Sequence, residues 1–67
     1  MDYKFIRAWC KMLGSFSYFV KNEVEQARHD NAPQNAVYRN ADGRWVTYDE
    51  ITSERTRARV TAIVGMM

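Results

Sequence analysis

The sequence predicts an α+β fold, in which one long N-terminal amphipathic helix packs on a small antiparallel β-sheet. Three observations lead to this prediction. Apolar residues recur at helical spacing between residues 5 and 20. A turn sequence at residues 40–43 then separates two runs that are rich in aromatic and β-branched side chains. A third run, near the C-terminal end, alternates polar residues with small or apolar ones.

The helix is predicted over residues 2–31. Projected at 100° per residue, its apolar side chains form one arc of about 160°, made up of Phe5, Ile6, Ala8, Trp9, Met12, Leu13, Phe16, Phe19 and Val20. Gly14 falls on the polar side, where a glycine inside a helix costs up to about 1 kcal/mol without disturbing the packing. Pro33 disfavours helical geometry in the residue before it, so we expect the helix to end near Asn31.

A β-hairpin is predicted over residues 36–48. The sequence Asn40-Ala41-Asp42-Gly43 suits a type I turn that is closed by a glycine in left-handed geometry. The runs 36–39 and 44–48 on either side carry the valine, threonine, tyrosine and tryptophan residues that strands favour.

The segment after the hairpin has two interpretations. Thr47 and Glu50 have the spacing of a capping box, which would open a second, C-terminal helix. However, residues 57–62 alternate with a period of two, and the run is largely β-branched from Val60 to Val64. These features favour a third strand over residues 55–64, with a turn at residues 52–54, and the second helix is the alternative.

Size and composition predict one domain, residues 1–67, that resides in the cytoplasm. The single cysteine, Cys10, excludes an internal disulfide and suits a reducing compartment. With His29 as the only other soft ligand, a structural zinc site is not expected, and neither is any other cofactor. The apolar run 8–20 is shorter than the span of about 20 residues that a membrane helix requires, so no membrane partner is expected.

The width of the apolar arc predicts a contact with another chain. An ordinary surface helix buries a stripe of about 100°, and one small sheet would not cover an arc of about 160°. Large aromatic side chains dominate the energetics of protein interfaces. The predicted partner interface is therefore Phe5, Trp9, Met12, Phe16 and Phe19. The competing interpretation is that these side chains are simply the core.

A set of arginines forms the second candidate site. On a strand, Arg55, Arg57 and Arg59 would point to one face, where Arg39 or Arg44 from the hairpin would join them. Guanidinium groups in a row suit the phosphates of a nucleic acid or the carboxylates of an acidic partner. The competing interpretation is a solvated sheet face, because the formal net charge is only +2.

No catalytic residues are predicted, because the sequence does not combine a nucleophile, a base and an orienting group. The expected function is that of a non-enzymatic interaction module that binds and modulates or inhibits a larger macromolecule. Its expected partner is another protein or a second copy in a homodimer, and the alternative is a nucleic acid. In size and composition the chain resembles compact accessory proteins of phages and mobile elements, which include inhibitors of host proteins and anti-defence proteins. This resemblance is carried by no motif.

Overall fold

The computed structural model describes residues 3–14 and 17–67, except for the side chain of Phe19. Three helices and a two-stranded antiparallel sheet make up this part of the chain, so the α+β class is confirmed. In chain order the elements are α1 (Lys4–Met12), α2 (Ser17–His29), β1 (Ala36–Arg39), β2 (Trp45–Thr47), a 3₁₀ turn (Tyr48–Glu50) and α3 (Glu54–Gly65).

The prediction of a single long helix over residues 2–31 is wrong, because the helical segment is divided at Gly14. Leu13 caps the C-terminal end of α1, and Gly14 follows it with a φ of 81°. The amide of Gly14 donates to the carbonyl of Lys11 over 3.0 Å. A left-handed glycine directly after a helix is a common terminator, since a side chain in that conformation is costly. Gly14 therefore ends α1 rather than lying inside a longer helix.

The end of α2 near Asn31 is confirmed, and it has the geometry of a Schellman motif. Asn31 has a φ of 54°, and its amide donates to the carbonyl of Arg28 over 3.2 Å. The amide of Ala32 donates to the carbonyl of Ala27 over 2.9 Å. These two bonds satisfy carbonyls that the helix leaves open, and both alanines are buried.

The predicted hairpin is confirmed. The amide of Gly43 donates to the carbonyl of Asn40 over 3.0 Å, and Gly43 has the expected left-handed φ of 78°. The side-chain oxygen of Asn40 also accepts from the amides of Asp42 and Arg44. The pairing is irregular between Ala36 and Tyr38. Such an irregularity turns neighbouring side chains, and Ala36 and Val37 are accordingly both buried.

The predicted third strand over residues 55–64 is wrong, and the alternative, a C-terminal helix, is what the structure contains. The side chain of Ser53 caps α3 by accepting from the amide of Thr56 over 3.3 Å. The hydroxyl of Thr47 does donate to Glu50, over 3.1 Å, but this pair opens only the 3₁₀ turn. The apolar residues of α3 repeat at helical spacing, at positions 60, 63 and 64. Of these, Val60 is buried, and Ile63 and Val64 are half-buried.

Helix α1 lies in the middle of the fold and contacts α2, β1 and α3. Its side chains contribute to two core clusters. The first cluster joins α1 to α2 and the start of the hairpin, and contains Tyr3, Ile6, Cys10, Val24, Ala27, Ala32 and Ala36. The second cluster joins α1 to β1 and α3, and contains Ala8, Val37, Ile51 and Val60. The chain therefore covers the opening helix on three sides with its own elements.

Candidate interaction surface

Two aromatic pairs lie beside the second core cluster. The rings of Trp9 and Tyr38 stack, with centroids 4.7 Å apart and an interplanar angle of 21°. The rings of Phe5 and Tyr48 have centroids 4.9 Å apart and are tilted by 37°. All four side chains are half-buried. The pairs fix α1 against the hairpin and against the 3₁₀ turn, while part of each ring remains accessible.

An apolar groove runs beside the Trp9–Tyr38 pair and has a volume of about 270 Å³. We call it the aromatic groove. Helices α1 and α2 and strand β1 line it with Ile6, Trp9, Cys10, Leu13, Glu23, Val37, Tyr38 and Arg39. Leu13 is 61% exposed. Leu13 caps the C-terminal end of α1, directly before Gly14.

The charged residues of the aromatic groove are paired with each other. Arg39 and Glu23 form an ion pair over 3.7 Å, and the guanidinium group of Arg39 also lies 5.7 Å from the centroid of the Trp45 ring. Burial raises the pKa of the Cys10 thiol above its ordinary value, and the charge of Glu23 raises it further. The thiol therefore stays protonated at neutral pH and acts as a small apolar group.

The structure brings together three of the five residues that were predicted as the partner interface. Phe5, Trp9 and Met12 are half-buried and pack against the second core cluster. Phe16 and the side chain of Phe19 lie outside the described part of the chain. These three residues thus contribute to the core and also remain partly accessible. Their burial fits the interpretation as core residues, and their accessible parts leave room for a partner contact.

The five candidate arginines do not form the row that a strand would have given. Because α3 is a helix, Arg55 and Arg59 share one side and Arg57 lies on another. Arg57 lies over the ring of Tyr48, 5.1 Å from its centroid. Arg44 pairs with Glu50 over 2.8 Å, and Arg39 pairs with Glu23. The geometric basis of the predicted arginine face is therefore absent.

Residues that the sequence analysis did not single out also contribute to the accessible surface. Tyr38 was not among the residues predicted as the partner interface, yet it supplies half of the partly accessible aromatic stack. Arg7, Lys21 and Arg28 were in no predicted site, yet they line a second groove, between α1 and α2. The signal for the second groove was the glycine at position 14, because a helix that ends there allows α2 to pack beside α1.

A polar cluster joins the end of α2 to the hairpin. The carboxylate of Asp30 accepts from the indole N–H of Trp45 and from the amide of Gln26, each over 2.9 Å. It also lies 3.3 Å from the Nδ1 atom of His29. The bond from Trp45, and then that from His29, lower the pKa of Asp30 below its ordinary value. These bonds hold α2 at a fixed position relative to β2.

Comparison of the chain with protein-family models, curated proteins and solved structures found no match. Within residues 3–14 and 17–67, no group of three metal-ligating side chains comes together. No helix in that same part of the chain is both long and apolar enough to cross a membrane.

Proposed function

We propose that this chain is a small interaction protein that binds a larger protein through the aromatic groove and thereby inhibits or modulates it. The observation that supports this proposal is the groove itself, with its partly accessible Trp9–Tyr38 stack and the exposed Leu13 at its edge. Tryptophan, tyrosine and arginine are the residues most enriched at interface hot spots. Trp9, Tyr38 and Arg39 supply one of each to this groove.

The openness of the groove favours a protein segment over a small molecule. Small-molecule sites enclose most of their ligand, whereas this groove of about 270 Å³ is accessible at its edge, where Leu13 is 61% exposed. One or two apolar side chains from the face of a partner helix would fill it, as in other complexes of a helix in a groove. Occupying a working surface of the partner would then inhibit it.

Substitution of Leu13 tests the proposal with little risk to the fold. Because Leu13 is 61% exposed, Leu13→Asp should change the free energy of unfolding by no more than about 0.5 kcal/mol. A buried charge at the interface would weaken partner binding about tenfold or more. Met66→Asp is the matched control, because Met66 is 73% exposed and does not line the groove. Proteins captured from the native host should be retained by the wild type and by Met66→Asp, and lost by Leu13→Asp.

Three outcomes would contradict the proposal. Equal capture by both variants would place the interface elsewhere on the molecule. A wild-type chain that sediments as a dimer, and as a monomer when Leu13 is changed to Asp, would identify a second copy as the occupant. Salt-dependent capture of nucleic acid that Arg59→Gln weakens and Leu13→Asp leaves unchanged would favour the nucleic-acid alternative.

A further inference from the structure

A second groove lies between α1 and α2 and has a volume of about 550 Å³. We call it the basic groove. None of the described residues that line it also lines the aromatic groove. Its apolar part is formed by Val20, Val24 and Met67, and its charged part by Arg7, Lys21, Glu25 and Arg28. Lys21 and Arg28 are seven residues apart on α2, so they lie on one side of that helix, about 10 Å apart along its axis.

The charged side chains of the described lining are mostly basic. Among the described residues that line the groove, three side chains are cationic and one is a carboxylate. The whole chain has ten basic and eight acidic residues, so seven of each sign remain once these four are set aside. These four side chains therefore carry a formal net charge of +2 beside an apolar strip.

We propose that the basic groove binds an acidic amphipathic helix of a partner protein. The apolar face of such a helix would lie on Val20, Val24 and Met67, and its flanking carboxylates would meet the cations of α1 and α2. Complementary charge of this kind selects the partner and speeds the encounter. The inference goes beyond the proposed function, because it assigns a second surface and states the chemistry of its ligand.

The lining of the groove favours protein over nucleic acid as the ligand. Single-stranded nucleic acids bind where aromatic rings stack on the bases and several cations follow the phosphates. None of the described lining side chains is aromatic, and part of the lining is aliphatic. An aliphatic strip with cations at its edges matches the apolar face of a helix that carries aspartate or glutamate on its flanks.

The test is the titration of the full chain with a labelled synthetic helix of about 16 residues, with leucine at the helical repeat and glutamate elsewhere. We expect binding that weakens as salt is raised. The double substitution Arg7→Gln/Lys21→Gln should weaken it about tenfold or more. The matched control Arg55→Gln/Arg59→Gln removes the same charge from exposed positions on α3 and should leave the affinity within about twofold of the wild type. Thermal unfolding followed by circular dichroism verifies that both variants fold.

Each further arm of this experiment has a defined outcome. A peptide with lysine in place of glutamate, and one with serine in place of leucine, should not bind. Absence of binding by the acidic peptide at low salt would overturn the proposal, as would equal weakening by the two double variants. Tighter binding of a single-stranded oligonucleotide would overturn it in favour of nucleic acid. Leu13→Asp should leave peptide binding unchanged, so that failure here and failure of the aromatic groove remain distinguishable.

Discussion

Helix α1 is shorter than helix α3 but buries more side chains. α1 has nine residues and buries Ile6, Ala8 and Cys10, whereas α3 has twelve residues and buries only Val60. The reason is position in the fold. α1 packs against α2, β1 and α3. α3 packs along one side, where Val60, Ile63 and Val64 meet the second core cluster. Arg57 and Thr61 of α3 also contact Tyr48.

This difference explains the breadth of the apolar arc on the opening helix. A helix with three neighbours needs apolar side chains on most of its circumference, whereas a helix with one neighbour needs only a narrow stripe. Ile6 and Cys10 face the cluster shared with α2, and Ala8 faces the cluster shared with α3. Packing within the chain therefore accounts for the part of the arc that the structure describes on α1, and its accessible edge lies at Trp9 and Leu13.

Truncation of core residues in the two helices should have unequal effects. Ile6 is 1% exposed, and Ile6→Ala should lower the free energy of unfolding by about 2–5 kcal/mol, because it opens a cavity among elements that cannot close it. Val60→Ala removes two methyl groups and should cost about 1.5 kcal/mol, because α3 can shift inward. Chemical denaturation of both variants measures the difference.

Val37→Ala is the matched control for Val60→Ala. Both valines are 0% exposed and lose the same atoms, but Val37 lies in the hairpin against α1. We expect Val37→Ala to be the more costly of the two. If Val60→Ala destabilises the chain as much as Val37→Ala or Ile6→Ala, α3 is held as rigidly as α1, and the comparison fails.

Gly14 follows α1, and Gly65 is the last residue of α3. Substitution of each by alanine should change the stability of the fold in opposite directions. Gly14 has a φ of 81°, so Gly14→Ala should destabilise the fold by about 1 kcal/mol, because left-handed geometry is costly for alanine. Gly65→Ala should stabilise the fold by about 0.5 kcal/mol. A β-carbon would meet no other atom within 4 Å at either position, so the effects are conformational. Stabilisation by Gly14→Ala would mean that the residue lies inside a continuous helix.

The smallest expected effect concerns acid stability at the junction of α2 and the hairpin. Hydrogen bonds lower the pKa of Asp30 from 3.8, so the folded state binds fewer protons than the unfolded state in this range. The contribution of the Asp30 carboxylate to the stability of the fold is therefore present above pH 3.8, and it is lost as the pH falls through the lowered pKa. Asp30→Asn should lower the melting temperature at pH 7, and the difference from the wild type should shrink below pH 3.8. A difference that stays constant with pH would contradict this linkage.

Trp45→Phe sharpens the same test. The indole N–H of Trp45 is the largest cause of the lowered pKa of Asp30, and phenylalanine lacks this donor. The acid sensitivity of this variant should therefore also be smaller than that of the wild type.

The hairpin was predictable from sequence because its turn is determined locally. Asn40 and Gly43 occupy the positions where their side-chain chemistry is required, and no distant contact is needed. The break at Gly14 was missed because a glycine inside a helix and a glycine after a helix look alike when apolar residues continue on both sides. The third strand was favoured because residues 57–62 alternate, yet Ser53 caps a helix there and Val60, Ile63 and Val64 repeat at helical spacing.

The candidate surfaces were predictable only in part, for the same reason. Trp9 and Met12 were correctly placed on the apolar side of the opening helix, because that assignment needs only the helical period. The stack of Trp9 on Tyr38 depends on how α1 crosses the hairpin, which is a tertiary property. The basic groove joins Arg7 of α1 to Lys21 of α2, and these residues come together only after the chain turns back at Gly14.

The most direct test of the account is a set of nuclear Overhauser effects between α1 and α2 in the isolated chain. Cys10 and Val24 belong to one buried cluster, together with Ile6 and Ala27. In a continuous helix the side chains of Cys10 and Val24 would be about 21 Å apart along the axis. We predict cross-peaks that join Ile6 and Cys10 to Val24 and Ala27. Their absence, with unbroken helical connectivities through Leu13 and Gly14, would contradict the central position of α1.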